Sequence, residues 1–458
     1  MGIGHLSRGW FQELVMLNKI GRDENGFESV RRSTMWNANI PDRYPDHIVL
    51  ATCTDEVVEA VRFAKENNFK VSVRSGGHSW SGNHVRDGGV LIDISAMKSY
   101  TIDKGKMIAT AQPGLAGSTL LGKLLKQDLF FPVGHCKGVG LGGYLLQGGF
   151  GWNGRALGIA CSNVLAIDYV DANGNLCHAS ESENSEILWA ARGAGPAFFG
   201  VVTQFYLRLF EKPKFYGNAY LQFRIDKLEE VVRWFDAVGE SVPAEVELQF
   251  MISRNPSFPP FYPSHRNSQP LIEVAMTVMA DSYKDAKSKL TFMKDRPRGA
   301  RIHVPLVKQS ISFATKGVMQ HYPSDTSWEL DNLWTHATAE ELLPHLQRVA
   351  DTLPQPPAHI LWLNWAPQQP LIDMAFTKQD RTYLCIYGAW TDPNDAESTM
   401  RWSRNNIAAM QEFSTGVQFA DDPGRSAEGI SPEAKERLEA LRALHDPDSR
   451  FHLWIGEA

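Results

Sequence analysis

From residue 41 onward, apolar positions fall into short runs and helical stripes that alternate along the chain. The run 48–52 (IVLAT) reads as a strand. Thr54 then offers a cap oxygen, and Asp55 and Glu56 fill a first turn. Val57, Val58, Val61, Phe63 and Ala64 recur at helical spacing up to Asn67-Asn68, which predicts a helix with one buried stripe. Strands are predicted at 70–74 (KVSVR), 90–94 (VLIDI) and 107–111 (MIATA), and a helix at about 117–127. Segment 163–174 is an apolar strand closing in Asn173-Gly174, with 176–180 as its hairpin partner. A helix at 185–192 and a long alternating strand at 199–210 complete this part.

After Lys212 the pattern changes. Strands at 220–225, 248–252, 271–280 and 382–390 are longer and richer in aromatic residues, a helix is predicted at 282–293, and the Pro-rich stretch 254–263 reads as a loop. A last helix is predicted at 432–444. Strands and helices intermixed in this way predict an α/β or α+β protein with a boundary near 212.

Composition narrows the function. The 458 residues are 43% hydrophobic and 21% charged, enough for a sizeable core and for two or three domains. With 46 basic and 52 acidic residues the net charge is −6, which argues against a general nucleic-acid or anionic-membrane partner. No apolar run reaches the ~18 residues of a membrane-spanning helix. Arg8 and Glu13 interrupt any secretory signal, and Leu6 stands where a myristoylation motif needs Ser or Thr. The expectation is a cytoplasmic protein. Cys53, Cys136, Cys161, Cys177 and Cys385 contain no CxxC pair, so neither a zinc site nor a disulfide framework is predicted, and no metal.

Glycines mark the place to look. Of 37 in the chain, nine lie in the 21 residues from Gly134 to Gly154, interleaved with Val139, Leu141, Leu145, Leu146 and Phe150. A polar linker does not have that texture. Missing side chains here point to a backbone pressed against something flat or phosphorylated. Gly138, Gly140 and Gly143 fit G-x-G-x-x-G, yet the preceding FFPVGHC is no buried strand end, glycines continue where a helix should run, and Asn163 stands where an acidic residue belongs. A nicotinamide-binding Rossmann turn is therefore disfavoured. A second constellation is Val73-Arg74-Ser75-Gly76-Gly77-His78-Ser79-Trp80, where consecutive backbone N–H groups after a strand can form an anion nest with His78 at its edge.

Taken in order, Arg74-Ser75-Gly76-Gly77-His78-Ser79, then Gly134-His135-Cys136 with Val139-Gly140-x-Gly142-Gly143, then Gly148-Gly149-x-Gly151, and finally Leu188 to Gly193 with Phe199 to Thr203, strongly resemble the berberine bridge enzyme-like FAD-linked oxidases of the vanillyl-alcohol oxidase superfamily. The resemblance covers about 40–210 closely and returns more weakly at 374–392 and 437–453. It implies an α+β fold: a two-subdomain PCMH-type FAD-binding domain at 1–212 (core about 41–212), a substrate domain of antiparallel sheet flanked by helices at 213–420, and a segment 421–458 that returns to the first domain.

The resemblance also implies bicovalent FAD, with His78 matching the histidine that bonds the flavin 8α-methyl and Cys136 the cysteine that bonds C6. Arg74, Ser75, Gly76, Gly77 and Ser79 would hold the pyrophosphate, Gly140, Gly142 and Gly143 would run along the isoalloxazine, and Gly200 and Val202 would approach the adenine. Val139 resembles the small residue of oxygen-reactive members. Tyr383 matches a Glu or aromatic position seven residues before the tryptophan corresponding to Trp390, and strand alternation puts Cys385 and Tyr387 on its face. Tyr383 or Tyr387 is the candidate base. The family's C-terminal Tyr-Gly-Asn element is absent, since this chain reads GISPEAKERL there. The expected activity is hydride transfer from a small molecule to flavin and then to dioxygen, giving hydrogen peroxide. A dehydrogenase, an oxidative cyclase, a carbohydrate oxidase and a catalytically impaired flavoprotein are the alternatives. Trp362, Trp365, Tyr383, Tyr387 and Trp390 favour an aromatic or polycyclic substrate. The expected partners are that substrate and dioxygen, in a monomer or homodimer.

Overall fold

The structure is a computed structural model that describes residues 17–254, 269–418 and 429–454. The elements follow the hydrophobic pattern closely. The strands Leu271–Ala280 and Thr382–Trp390 and the helices Ser185–Ala191 and Pro432–His445 stand where alternation and helical spacing put them. Two details differ. Thr54 is the first helical residue, not the cap; Cys53 takes the cap position, and the first turn is tied instead by Glu56, whose Oε2 accepts from Thr52 N. The helix expected over 282–293 ends at Lys289 and continues as a tighter turn, Thr291–Asp295. The loop expected at 254–263 falls, from 255 on, outside the described residues, as do the N-terminal segment before 17 and the last four residues.

The fold is α+β. A four-stranded sheet runs in the order Lys19–Gly21, His47–Leu50, Val90–Asp93, Val71–Arg74, its last three strands parallel. Beside it lies an antiparallel sheet ordered Tyr100–Asp103, Ile108–Ala111, Val201–Arg208, Val164–Val170, Leu176–Ser180. One hydrophobic core joins these two sheets and also takes in Ala434, Leu438, Phe451 and Trp454 from the end of the chain. Phe451 bridges Val71, and His452 N donates to Val71 O.

A second core is built on a seven-stranded antiparallel sheet, in the order Ile302–Lys308, Phe215–Arg224, Leu271–Ala280, Val246–Ser253, His359–Asn364, Thr382–Trp390, Ser327–Thr335. Its two faces differ because side chains alternate along each strand. Leu221, Leu248, Phe250, Val274 and Trp362 point toward the helices Leu228–Gly239 and Ala339–Asp351 and pack with Val231, Phe235 and Leu346. The opposite face carries Asn218, Tyr220, Glu247, Gln249, Glu273 and Thr277, and it turns toward the glycine-rich loops of the first core.

Candidate active site

Between that polar face and those loops lies a cavity of about 860 Å³, within the range of roughly 300–1,000 Å³ usual for cofactor and small-molecule sites. All the site residues singled out in the sequence line it: Arg74, Ser75, Gly76, Gly77, His78, Ser79, Cys136, Val139, Gly140, Gly142, Gly143, Gly200, Val202, Tyr383 and Tyr387.

His78 follows the strand Val71–Arg74 and stacks on Trp36 with ring centroids 5.4 Å apart. Burial, reinforced by the nearby Arg74 guanidinium, pushes its pKa down to about 4. At neutral pH the imidazole is uncharged and keeps a nucleophilic lone pair. A Cβ on Gly138 would stand 3.0 Å from His78 Nε2, so the loop carrying Cys136 meets this ring. Cys136 is half-buried. The other cysteines are poor candidates for thiolate chemistry or lie elsewhere: burial pushes Cys161 up to about 12, Cys385 is fully buried, Cys53 is exposed, and Cys177 is raised by burial and by Asp171.

The glycine density has two causes. Gly76 and Gly140 press backbone to backbone: a Cβ on Gly76 would sit 2.5 Å from Gly140 N, and one on Gly142 2.7 Å from Ser75 Oγ. This contact brings the two motif loops together into one bare wall. Elsewhere the missing side chains accommodate aromatic rings of the protein itself. Tyr144 packs where Cβ atoms of Gly149 and Gly151 would be, donating its hydroxyl to Pro132 O at 2.8 Å, while Gly148 makes room for Phe376 and Gly154 for Trp365.

Arg74 lines the cavity with its guanidinium already engaged. Its Nη1 donates to both oxygens of Asp93 at 3.0 Å and its Nε to Thr34 O at 3.2 Å. At the far wall Tyr383 and Tyr387 are buried on one face of their strand, Tyr387 stacked on His359 at 4.5 Å and Tyr383 beside Phe150 and Trp334. Of the aromatic residues that favoured an aromatic substrate, Trp362, Trp365 and Trp390 do not reach the cavity. Trp362 has the opposite strand parity to Leu361 and Leu363 and packs on Phe235 and Phe250. The rings that line it besides the two strand tyrosines include Trp36, Trp80, Phe150, Trp152, Tyr220 and Tyr322.

Residues 45–180 match the family described as FAD binding domain. Over 455 residues the chain is 29% identical to the FAD-linked oxidoreductase nodO of Hypoxylon pulicicidum, covering 96% of this chain and 97% of that protein.

The chain is an FAD-linked oxidoreductase.

Its fold is shared with a berberine bridge enzyme-like protein of Physcomitrella patens (TM-score 0.82, 18% identity, 95% of this chain and 96% of that one). Glucooligosaccharide oxidase from Acremonium strictum, which carries 6-S-cysteinyl, 8α-N1-histidyl FAD, superposes equally well (TM-score 0.82, 18% identity, 95% and 96% coverage).

FAD fits the residues of this oxidoreductase on two observations. The Gly76–Gly140 contact leaves a wall of backbone with no Cβ to hold a flat ring off it. Gln147 and Gln418, both on the cavity wall, each bury an Oε1 that has no hydrogen-bond partner among the described residues, and a flavin offers donors as well as acceptors. Sequence reasoning missed Trp36, Glu247, Gln249 and Tyr322. For Glu247 and Gln249 a signal existed: polar residues at every second position of VELQFMI, an otherwise apolar strand. Among the described residues no group of three potential ligands could hold a metal ion, and no helix is long and apolar enough to cross a membrane.

Proposed function

We propose that this oxidoreductase is an oxidase that holds FAD through two covalent bonds, from a ring nitrogen of His78 and from Cys136 Sγ, and oxidises an aromatic or polycyclic small molecule. The observation that carries this reading is the single cavity shared by the glycine loops, His78, Cys136 and the tyrosine-bearing sheet face. When bound, FAD supplies the acceptor for the substrate's hydride and passes the electrons to dioxygen, giving hydrogen peroxide.

The protein's own groups would do the rest. His78, desolvated and uncharged, keeps its lone pair available for the tether. Ser75, Gly76, Gly77 and Ser79 offer backbone N–H groups to a pyrophosphate; with the guanidinium of Arg74 bound to Asp93, that residue contributes its place in the loop rather than a free charge. Val139 leaves a small side chain on the wall where dioxygen must reach the ring. Gly200, where an added Cβ would stand 3.4 Å from the Phe198 ring, and Val202 line the cavity and would approach the adenine. Trp80, Phe150 and Tyr322 present aromatic surface to the substrate, which supports an aromatic ligand over a sugar. As its phenolate, Tyr383 or Tyr387 would take the proton of the substrate's hydroxyl as hydride leaves.

Two experiments test this. Protein reduced anaerobically by its substrate should reoxidise in air with stoichiometric peroxide, and a reduced form that stays bleached in air sinks the oxidase reading in favour of a dehydrogenase. The double variant Tyr383→Phe/Tyr387→Phe should load flavin normally yet lose about 10²–10⁴-fold in the rate of anaerobic flavin reduction, the usual contribution of general-base catalysis. An unchanged rate removes both tyrosines from the role.

A further inference from the structure

Building on the proposed bicovalent attachment, we infer that Glu247 positions Cys136, so that the sulfur bond to the flavin forms only when the seven-stranded sheet is docked against the glycine-rich loops. Glu247 belongs to that sheet, on the strand Val246–Ser253, paired with Thr277 of the next strand. It is only 9% exposed, and its two carboxylate oxygens reach two separate points of the opposite half. Oε2 accepts from Nε2 of His135, the residue before Cys136, at 3.0 Å, and Oε1 accepts from the backbone N–H of Asn153 at 2.6 Å.

The two points are themselves joined. The His135 ring meets Trp152 edge to face, centroids 4.2 Å apart, and Trp152 N donates to Val133 O at 3.1 Å. One carboxylate from the substrate-side sheet thus fixes residues 133–136 and 151–153 as a unit. The loop carrying His78 is held differently. Its backbone partners lie in its own half, with Trp36 N donating to Gly77 O and Ile94 N to Arg74 O. Trp80, two residues past His78, does pack on Tyr322, Trp328 and Tyr387 of the sheet half, but the hydrogen bonds of Glu247 go to His135 and Asn153, so losing this carboxylate leaves the histidine tether in place and frees the loop of the cysteine tether. Misplacing a reacting atom by a fraction of an ångström is enough to suppress such a bond.

The step itself exchanges the Sγ–H bond of Cys136 and the C6–H bond of the flavin for one Sγ–C6 bond. The two electrons and two protons released reduce the flavin, and dioxygen then takes them as hydrogen peroxide. Glu247 acts here as a positioning residue, through His135.

The test digests purified holoenzyme and weighs the flavin peptides. Wild type should yield flavin joined to both the His78 and the Cys136 peptides. In Glu247→Ala the share joined to Cys136 should fall at least tenfold while the His78 bond persists, with a matching change in the flavin absorption spectrum. Glu247→Gln should restore the sulfur bond, since its carbonyl can accept from Asn153 and its NH₂ can donate to His135 in the other tautomer. His135→Ala, which leaves the Asn153 anchor in place, should lose the bond too, and it carries the test if the alanine at 247 prevents folding. A full complement of Cys136-linked flavin in folded Glu247→Ala or His135→Ala overturns the inference. Flavin bonded to His78 alone in the wild type overturns the bicovalent reading itself, and the inference with it.

Discussion

Acid-denatured wild-type protein is expected to keep its yellow colour on the polypeptide, and His78→Ala combined with Cys136→Ala is expected to release all of it. Each single variant should retain colour through the remaining bond, so only the pair separates covalent from merely tight binding. The expectation rests on chemistry as much as on position. His78 is uncharged because burial and Arg74 disfavour its imidazolium, and its ring meets the loop of Cys136 at Gly138. Colour that stays with the denatured double variant would refute the assignment of both tethers.

Arg155→Ala should cost on the order of 4 kcal/mol or more, a large part of an ordinary domain's ~5–15 kcal/mol. The side chain is 1% exposed and donates to five carbonyls: Trp365 O (2.6 Å), Val246 O (2.7 Å), Pro243 O (2.9 Å), Val242 O (3.0 Å) and Ala366 O (3.4 Å). Burial pushes its pKa down to about 10, so it remains a cation at neutral pH, stabilised by these dipoles and by Glu247. Truncation takes a charged donor from Val242 O, Trp365 O and Val246 O, with Pro243 O keeping Val246 N and Ala366 O keeping Gln368 Nε2, and opens a void between the two cores. Arg155→Lys should recover only part of the loss, having three donors and no planar fork. Urea unfolding of the holoenzyme measures it, and a change under ~1 kcal/mol would mean that the seam is held elsewhere.

Local order was legible in the sequence and long-range order was not. The helical stripe after Thr54 and the alternation of 382–390 depend on neighbours in the chain, so period alone locates them. The motif loops around His78 and Cys136 could be singled out because unusual backbone needs glycine wherever the rest of the protein lies. Glu247 meeting His135, or Arg155 meeting Val242 and Trp365, joins positions about 90 to 210 residues apart, and nothing in the local pattern encodes such a pairing. Parity explains the misreading of Trp362. An aromatic strand was recognised, but which of its faces met the cavity depended on the register with Val246–Ser253. Similarly, part of the glycine cluster accommodates Tyr144, Phe376 and Trp365, a demand made by rings distant in sequence or by the loop's own fold.

The two-sided sheet has a consequence for how such a protein diversifies. Asn218, Tyr220, Gln249, Ala275, Thr277 and Val304 reach the cavity from four strands, while their chain neighbours Leu221, Leu248, Val274 and Met276 face the helix-side core. Because the strand period is two, ligand preference and fold stability are written in alternate letters of the same strands. A new substrate can be accommodated by changing every second residue, with the intervening ones left to hold the molecule together.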